Sequence, residues 1–190
     1  MSSINHRHIF SDKLFVVDHP YNLKNDPTID SLHIPKWIIK YLKDNFLKFE
    51  NEQNNFPKKF FIDRSDAVSG HAKMRKIVNE NEVKKELQNN GFQIVTLSNY
   101  HFKDQVKMFN NAESIVGLHG AGFANVVFCK PKTKIIELQS DSAGDMYKCL
   151  SEKNNLNYDR ISTKPKEITN NQLGDIEINI NILKEKIFIN

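Results

Sequence analysis

Six consecutive residues, Gly117-Leu118-His119-Gly120-Ala121-Gly122, carry the strongest chemical signal in the sequence. A strand-like stretch from Glu113 to Gly117 runs straight into them, and residues 121–128, which read as a helix, follow. Missing side chains at Gly120 and Gly122 let a phosphate approach the backbone. N–H groups of a first helical turn then point at it with the favourable end of the dipole. His119 adds a donor that can carry charge beside an anion. The same glycines would also serve a tight turn and close packing of helix on strand, so the stretch alone leaves both readings open. Glu137 favours the first, because it ends the next strand on the same sheet edge. In nucleotide-binding α/β folds an acid there accepts hydrogen bonds from ribose hydroxyls.

Two arginines extend the set. Arg64 leaves a strand end just before Ser65 and can reach across the same edge, and a guanidinium matches the paired oxygens of a phosphate. For Arg75 taken alone, a surface salt bridge is the preferred reading. A dinucleotide is the weaker choice of ligand, since Gly120-Ala121-Gly122-Phe123-Ala124-Asn125 places Asn125 where the NAD fingerprint wants a small residue. No Gly-Lys-Ser/Thr follows, which excludes a P-loop. His6 and His8 have metal-like spacing but no third ligand, so no metal is expected.

The elements that must hold these residues alternate. Residues 13–17 read as a short strand, 19–30 as a turn-rich loop, and Trp37, Ile38, Tyr41, Leu42, Phe46 and Phe49 recur at helical spacing. Phe60-Phe61-Ile62 signals a buried strand. Asn79 with Glu82 resembles a capping box, and Gly91 stops the helix it opens. Strands over 92–97, 114–116 and 134–138 then alternate with helices over 102–111, 121–128 and 143–153. Residues 156–161 read as a last strand, and 176–188 fit strand or helix. Repeated strand and helix mean an α/β fold, a Rossmann-like parallel sheet with helices on both faces.

Bulk properties agree. A chain of 190 residues, 39% hydrophobic, can bury one core. The 27 Lys and Arg against 23 Asp and Glu give a charge of +4, which suits anionic ligands without the basic stripe of a nucleic-acid binder. Cys129 and Cys149 make no zinc or disulfide framework, and no apolar run marks a signal peptide or spanning helix. A cytoplasmic protein is expected, with peripheral membrane association or a partner chain left open.

Four stretches, taken together and in order, resemble glycosyltransferase family 61. They are Phe60-Phe-Ile-Asp-Arg64-Ser65, Arg75 through Asn79, Glu80 and Glu82 to Val83, Phe109 through His119 and Asn125 to Phe128, and Ile135-Ile-Glu137-Leu138. The resemblance runs from about Leu14 to Arg160. It implies an inverting GT-B type enzyme whose C-terminal Rossmann-like domain, over 58–190, binds a nucleotide-diphosphate sugar without cofactor or obligatory metal. It also implies a glycan acceptor in surface or capsular polysaccharide synthesis. Residues 1–57 would be the remnant of an incomplete N-terminal domain and its linker helix. On this resemblance Arg64 and His119 contact the diphosphate, with Ser65, Arg75, Gly120, Ala121, Gly122 and Asn125 around it. Asn79 and Glu80 brace the site, and Glu137 holds the ribose. Ala124 stands where the family usually has Thr. Asp63, Asp66 and His71 are the candidates for the general base that inversion needs, and Asp66 is chosen. The alternatives are a non-catalytic homologue that binds nucleotide and needs a partner chain, and an NAD-binding Rossmann domain.

Overall fold

In the computed structural model the described residues are 12–13, 27–48, 55–67, 75–165 and 174–188. The strand expected over 13–17 falls outside them apart from Lys13. So do His71, His6 and His8.

Five strands form one sheet: β1 (Lys59–Asp63), β2 (Gln93–Thr96), β3 (Ser114–Leu118), β4 (Lys134–Ser140) and β5 (Asn157–Thr163). Their order is β2-β1-β3-β4-β5 and every neighbouring pair is parallel. Apolar side chains alternate between the two faces, as strands buried on both sides require. Phe60, Ile62, Ile115 and Ile135 enter one core. Phe61, Val116, Leu118, Ile136 and Leu138 enter the other. Phe60, Phe61, Ile115 and Ile136 are among the side chains fully withdrawn from water, each contributing about 1.5–3 kcal/mol.

The first core is closed by α2 (Lys36–Phe46), α4 (Phe102–Asn111), α5 (Met146–Lys153) and a 3-10 helix over Ala121–Phe128. The second is closed by α3 (Glu80–Asn89) and α6 (Ile180–Phe188). A short helix, α1 (Pro27–Leu32), lies where a loop is expected from the sequence. α2 buries Ile39 rather than Trp37 and Tyr41, which are 54% and 58% exposed. Apolar residues surround this helix, and only the side carrying Ile39, Leu42 and Phe46 meets the core. There Phe46 packs edge-on against Phe102 at 5.3 Å and Phe128 at 6.2 Å.

Gly91 ends α3 as expected, with φ at +81° and with the Gly91 and Phe92 N–H groups donating to Gln88 and Leu87. The side-chain-to-backbone caps of a capping box do not form, although Asn79 Nδ2 donates to Glu82 Oε2 at 3.1 Å. The Asn79 amide also holds residue 178, accepting from the Ile178 N–H and donating to the Ile178 carbonyl, both at 2.9 Å. That fastens the C-terminal segment, where Ile176 bridges Ile77 in parallel and α6 follows.

Candidate functional site

The sequence of strands runs outward one way from β1 to β2 and the other way from β3 through β4 to β5. The reversal falls between β1 and β3, and a crevice opens at the carboxyl ends of strands at such a point. β1 delivers Asp63 and then Arg64 there. β3 delivers Leu118 and then His119-Gly120.

Two cavities meet at this edge, with Ile62, Arg64 and Leu118 lining both. One, of about 340 Å³, gathers Arg64, Asp66, Gly120, Ala121, Gly122 and Asn125. The other, of about 230 Å³, gathers Arg64, Ser65, Arg75 and Glu80. The structure therefore brings Arg64 together with Asn125, 61 positions further along the sequence.

Arg64 is half-buried and donates from Nη1 to the His119 carbonyl at 3.2 Å. Burial holds its pKa below the ordinary guanidinium value, while Tyr147 and Asp66 act in the opposite sense. A Cβ at Gly120 would sit 3.3 Å from the Arg64 guanidinium carbon, so glycine there is what lets Arg64 lie on the loop. A Cβ at Gly122 would come within 3.0 Å of Leu97 and 3.2 Å of Ile62. The glycines thus serve close packing, and Gly120, Ala121 and Gly122 line the larger of the two cavities.

Arg75 makes no ion pair among the described residues. Its Nε and Nη1 are buried with no hydrogen-bond partner. Burial lowers its pKa, the neighbouring Arg64 charge lowers it further, and Tyr147 and Glu137 oppose both. The surface salt bridge preferred for Arg75 from the sequence is not what forms. Two guanidinium groups, both permanently charged, instead converge on one edge with buried donors unspent.

The carboxylates differ from expectation. Asp63 accepts from Ser65 Oγ at 2.8 Å, Lys84 Nζ at 2.8 Å and Thr96 Oγ1 at 3.2 Å. Burial opposes its ionisation, but these donors outweigh that and hold its pKa below the usual carboxylate value. Such a group is poorly suited to taking a proton, and the Ser65 hydroxyl is committed to it. Glu80 pairs with Lys84 at 3.4 Å. Asp66 stays exposed at the rim of the larger cavity, accepting only a long 3.3 Å bond from the Ser98 N–H among the described contacts. Asn125 donates to Gln105 Oε1 at 2.9 Å, which anchors it beside the glycine loop.

His119 and Glu137 are brought together, but beneath the loop rather than into the cavities. His119 is 3% exposed and Glu137 is 0% exposed. His119 Nδ1 is bonded to Glu137 Oε1, and Tyr158 Oη donates to Glu137 Oε2 at 2.6 Å. Both oxygens expected to meet a ribose are therefore engaged within the protein. Tyr147 and Tyr158, which touch this pair, are missed by sequence reasoning. Each lies in a later element with no motif around it, and only the strand register brings Tyr158 beside β4.

The helix expected over 121–128 forms with those bounds, as a 3-10 helix, and its Phe123 N–H already bonds the Gly120 carbonyl at 3.0 Å. The N–H groups of Ala121 and Gly122 precede that bond and remain the donors a first turn offers. Among the described residues no group of three His, Cys, Asp or Glu side chains is placed to hold a metal ion. No helix among them is long and apolar enough to cross a membrane.

A family model described as Glycosyltransferase 61 matches residues 4–136. The match contains β1, β2, β3, both arginines and the whole glycine loop, and it stops one residue before Glu137. No curated protein matches the chain.

Proposed function

The chain belongs to glycosyltransferase family 61 and is a sugar-transferring enzyme. From that premise we propose that its donor is a nucleoside-diphosphate sugar whose diphosphate lies between Arg64 and Arg75 over the Gly120–Gly122 backbone. The observation that carries this is the pair of converging guanidiniums, with Arg75 Nε and Nη1 buried and unpartnered at the sheet reversal. A diphosphate brings two negative charges and several acceptor oxygens, which is what such a pair lacks.

In the transfer, an acceptor hydroxyl oxygen attacks the anomeric carbon from the face opposite the leaving group. The bond from that carbon to the phosphate oxygen breaks, and its electron pair goes to the diphosphate. The hydroxyl proton passes to a base, and the anomeric configuration inverts. Negative charge grows on the leaving oxygen, where Arg64, Arg75 and the Ala121 and Gly122 N–H groups would stabilise it in the role a metal ion otherwise takes. Asp66 is the base of this scheme, because it is the carboxylate at the cavity rim not tied down by several donors. The acceptor is a glycan of surface polysaccharide assembly, reached from the cytoplasmic side.

Measuring nucleotide release and sugar transfer from UDP-, GDP- and CDP-sugars tests this. Arg64→Ala should reduce the rate by about 100- to 1,000-fold, the size of losing one preorganised donor to a developing oxyanion. Asp66→Asn should abolish transfer while leaving nucleotide binding intact. Full turnover in Asp66→Asn would remove Asp66 from the scheme, and full turnover in Arg64→Ala would remove the diphosphate reading.

A further inference from the structure

A buried chain of hydrogen bonds joins the amino end of β5, the middle of β4 and the residue that follows β3. Tyr158 Oη donates to Glu137 Oε2 at 2.6 Å. Burial, with the nearby Glu137 charge, pushes the phenol pKa far above its ordinary value, so the phenol keeps its hydrogen and its donor role. Glu137 Oε1 meets His119 Nδ1. An ionised carboxylate can only accept, so the Nδ1 that faces it is the nitrogen that carries the hydrogen. Tyr147 closes over the imidazole at 5.1 Å between ring centroids, and Phe123 backs Tyr147 at 5.5 Å. The His119 backbone is held as well, its N–H donating to the Leu138 carbonyl at 2.8 Å and its own carbonyl accepting from Arg64.

We propose that Tyr158 and Glu137 are positioning residues acting through His119: they fix the hydrogen on Nδ1 and clamp the backbone whose carbonyl aims Arg64 at the donor. The consequence for donor binding rests on the function proposed above, whereas the hydrogen placement does not. A completely buried carboxylate is costly, and leaving it without its partners costs more, so the three side chains hold one arrangement together. That arrangement links β5 to Arg64 beyond β1, across the sheet edge where the cavities lie.

The test has two readouts on the full chain. Nitrogen-15 spectra of the imidazoles report which ring nitrogen of His119 carries hydrogen, with the signal assigned by its loss in His119→Gln. The Nδ1 hydrogen should be present in the wild type, in Glu137→Gln and in Tyr158→Phe, and absent from its protected position in Glu137→Leu. Calorimetry with UDP, GDP and CDP supplies the second readout. Glu137→Leu should weaken the tightest of them about tenfold, Glu137→Gln should recover most of that, and Arg64→Ala should add little on top, since contacting residues that share a partner couple. Should Glu137→Leu fail to fold, Tyr158→Phe combined with Arg64→Ala carries the same coupling test. Hydrogen on Nε2 alone in the wild type overturns the placement. Fully additive losses overturn the action through Arg64. If no nucleoside diphosphate binds the wild type but the Nδ1 signature is present, the donor reading falls and the clamp stands.

Discussion

Arg75 shows most clearly how a single residue can be set against the stability of the empty protein. Its buried Nε and Nη1 are unpartnered and Arg64 repels it. Arg75→Leu should therefore raise the stability of the ligand-free chain, by roughly 0.5–2 kcal/mol as such exchanges of function for stability do. Thermal melts would show a higher midpoint without ligand and no further rise on adding nucleoside diphosphate. A lower midpoint would mean that the guanidinium is satisfied after all. Asp63 makes the opposite case, as a carboxylate fully employed in holding the fold. Its folded pKa lies below the ordinary 3.8, so its contribution is present above that value and is lost as pH falls through the folded one. The Lys84 pKa lies above 10.5, raised by Asp63 and Glu80 against the effect of burial, so its share is present below 10.5 and lost above it. Lys84→Met should cost about 1–3 kcal/mol. The penalty measured by urea unfolding should be level across neutral pH and shrink at both extremes. Arg64 was legible in the sequence because it follows a short apolar strand. The tethering of Asp63 was not, because Lys84 and Thr96 lie on other elements and reach it only through the fold.

The 3-10 helix over Ala121–Phe128 is the element whose bounds, but not whose type of helix, the sequence pattern conveys. An apolar run after a glycine loop reads as a helix, and Gly122 and the β-branched pair Val126-Val127 favour the α state weakly. A distant residue completes the choice. Asn154, buried at the end of α5, donates to the carbonyls of Val126, Val127 and Cys129 at 2.8, 3.2 and 3.2 Å. Lys43 from α2 reaches the Asn154 carboxamide oxygen at 2.6 Å and the Cys129 carbonyl at 2.8 Å. Nothing in the sequence near 121–128 announces these partners. Asn154→Leu leaves buried carbonyls without their donor and should cost about 1–3 kcal/mol or more. Amide exchange should accelerate first in 121–129, and uniform loss of protection across the chain would contradict the local role. The other elements were easier, since β1, β3 and β4 are short, apolar on both faces and bounded by turns, and α4 matches its expected limits at Phe102 and Asn111.

For the whole molecule, strand and helix alternation was enough to expect a parallel sheet, and the all-parallel order β2-β1-β3-β4-β5 is what forms. The order itself was not written in any local pattern, although it decides where the crevice lies. Because the reversal falls between β1 and β3, the two stretches that stood out in sequence, ending at Arg64 and at Gly120, become neighbours. Glu137 stands one strand further out and is sealed below the surface, with its two oxygens on His119 and Tyr158. Titrating the purified chain calorimetrically with nucleoside diphosphates, the matching monophosphates and NAD tests the account most directly. A nucleoside diphosphate should bind at least about tenfold more tightly than its monophosphate, with that margin lost in both Arg64→Ala and Arg75→Leu. Failure of every diphosphate to bind, or binding indifferent to both arginines, would contradict it.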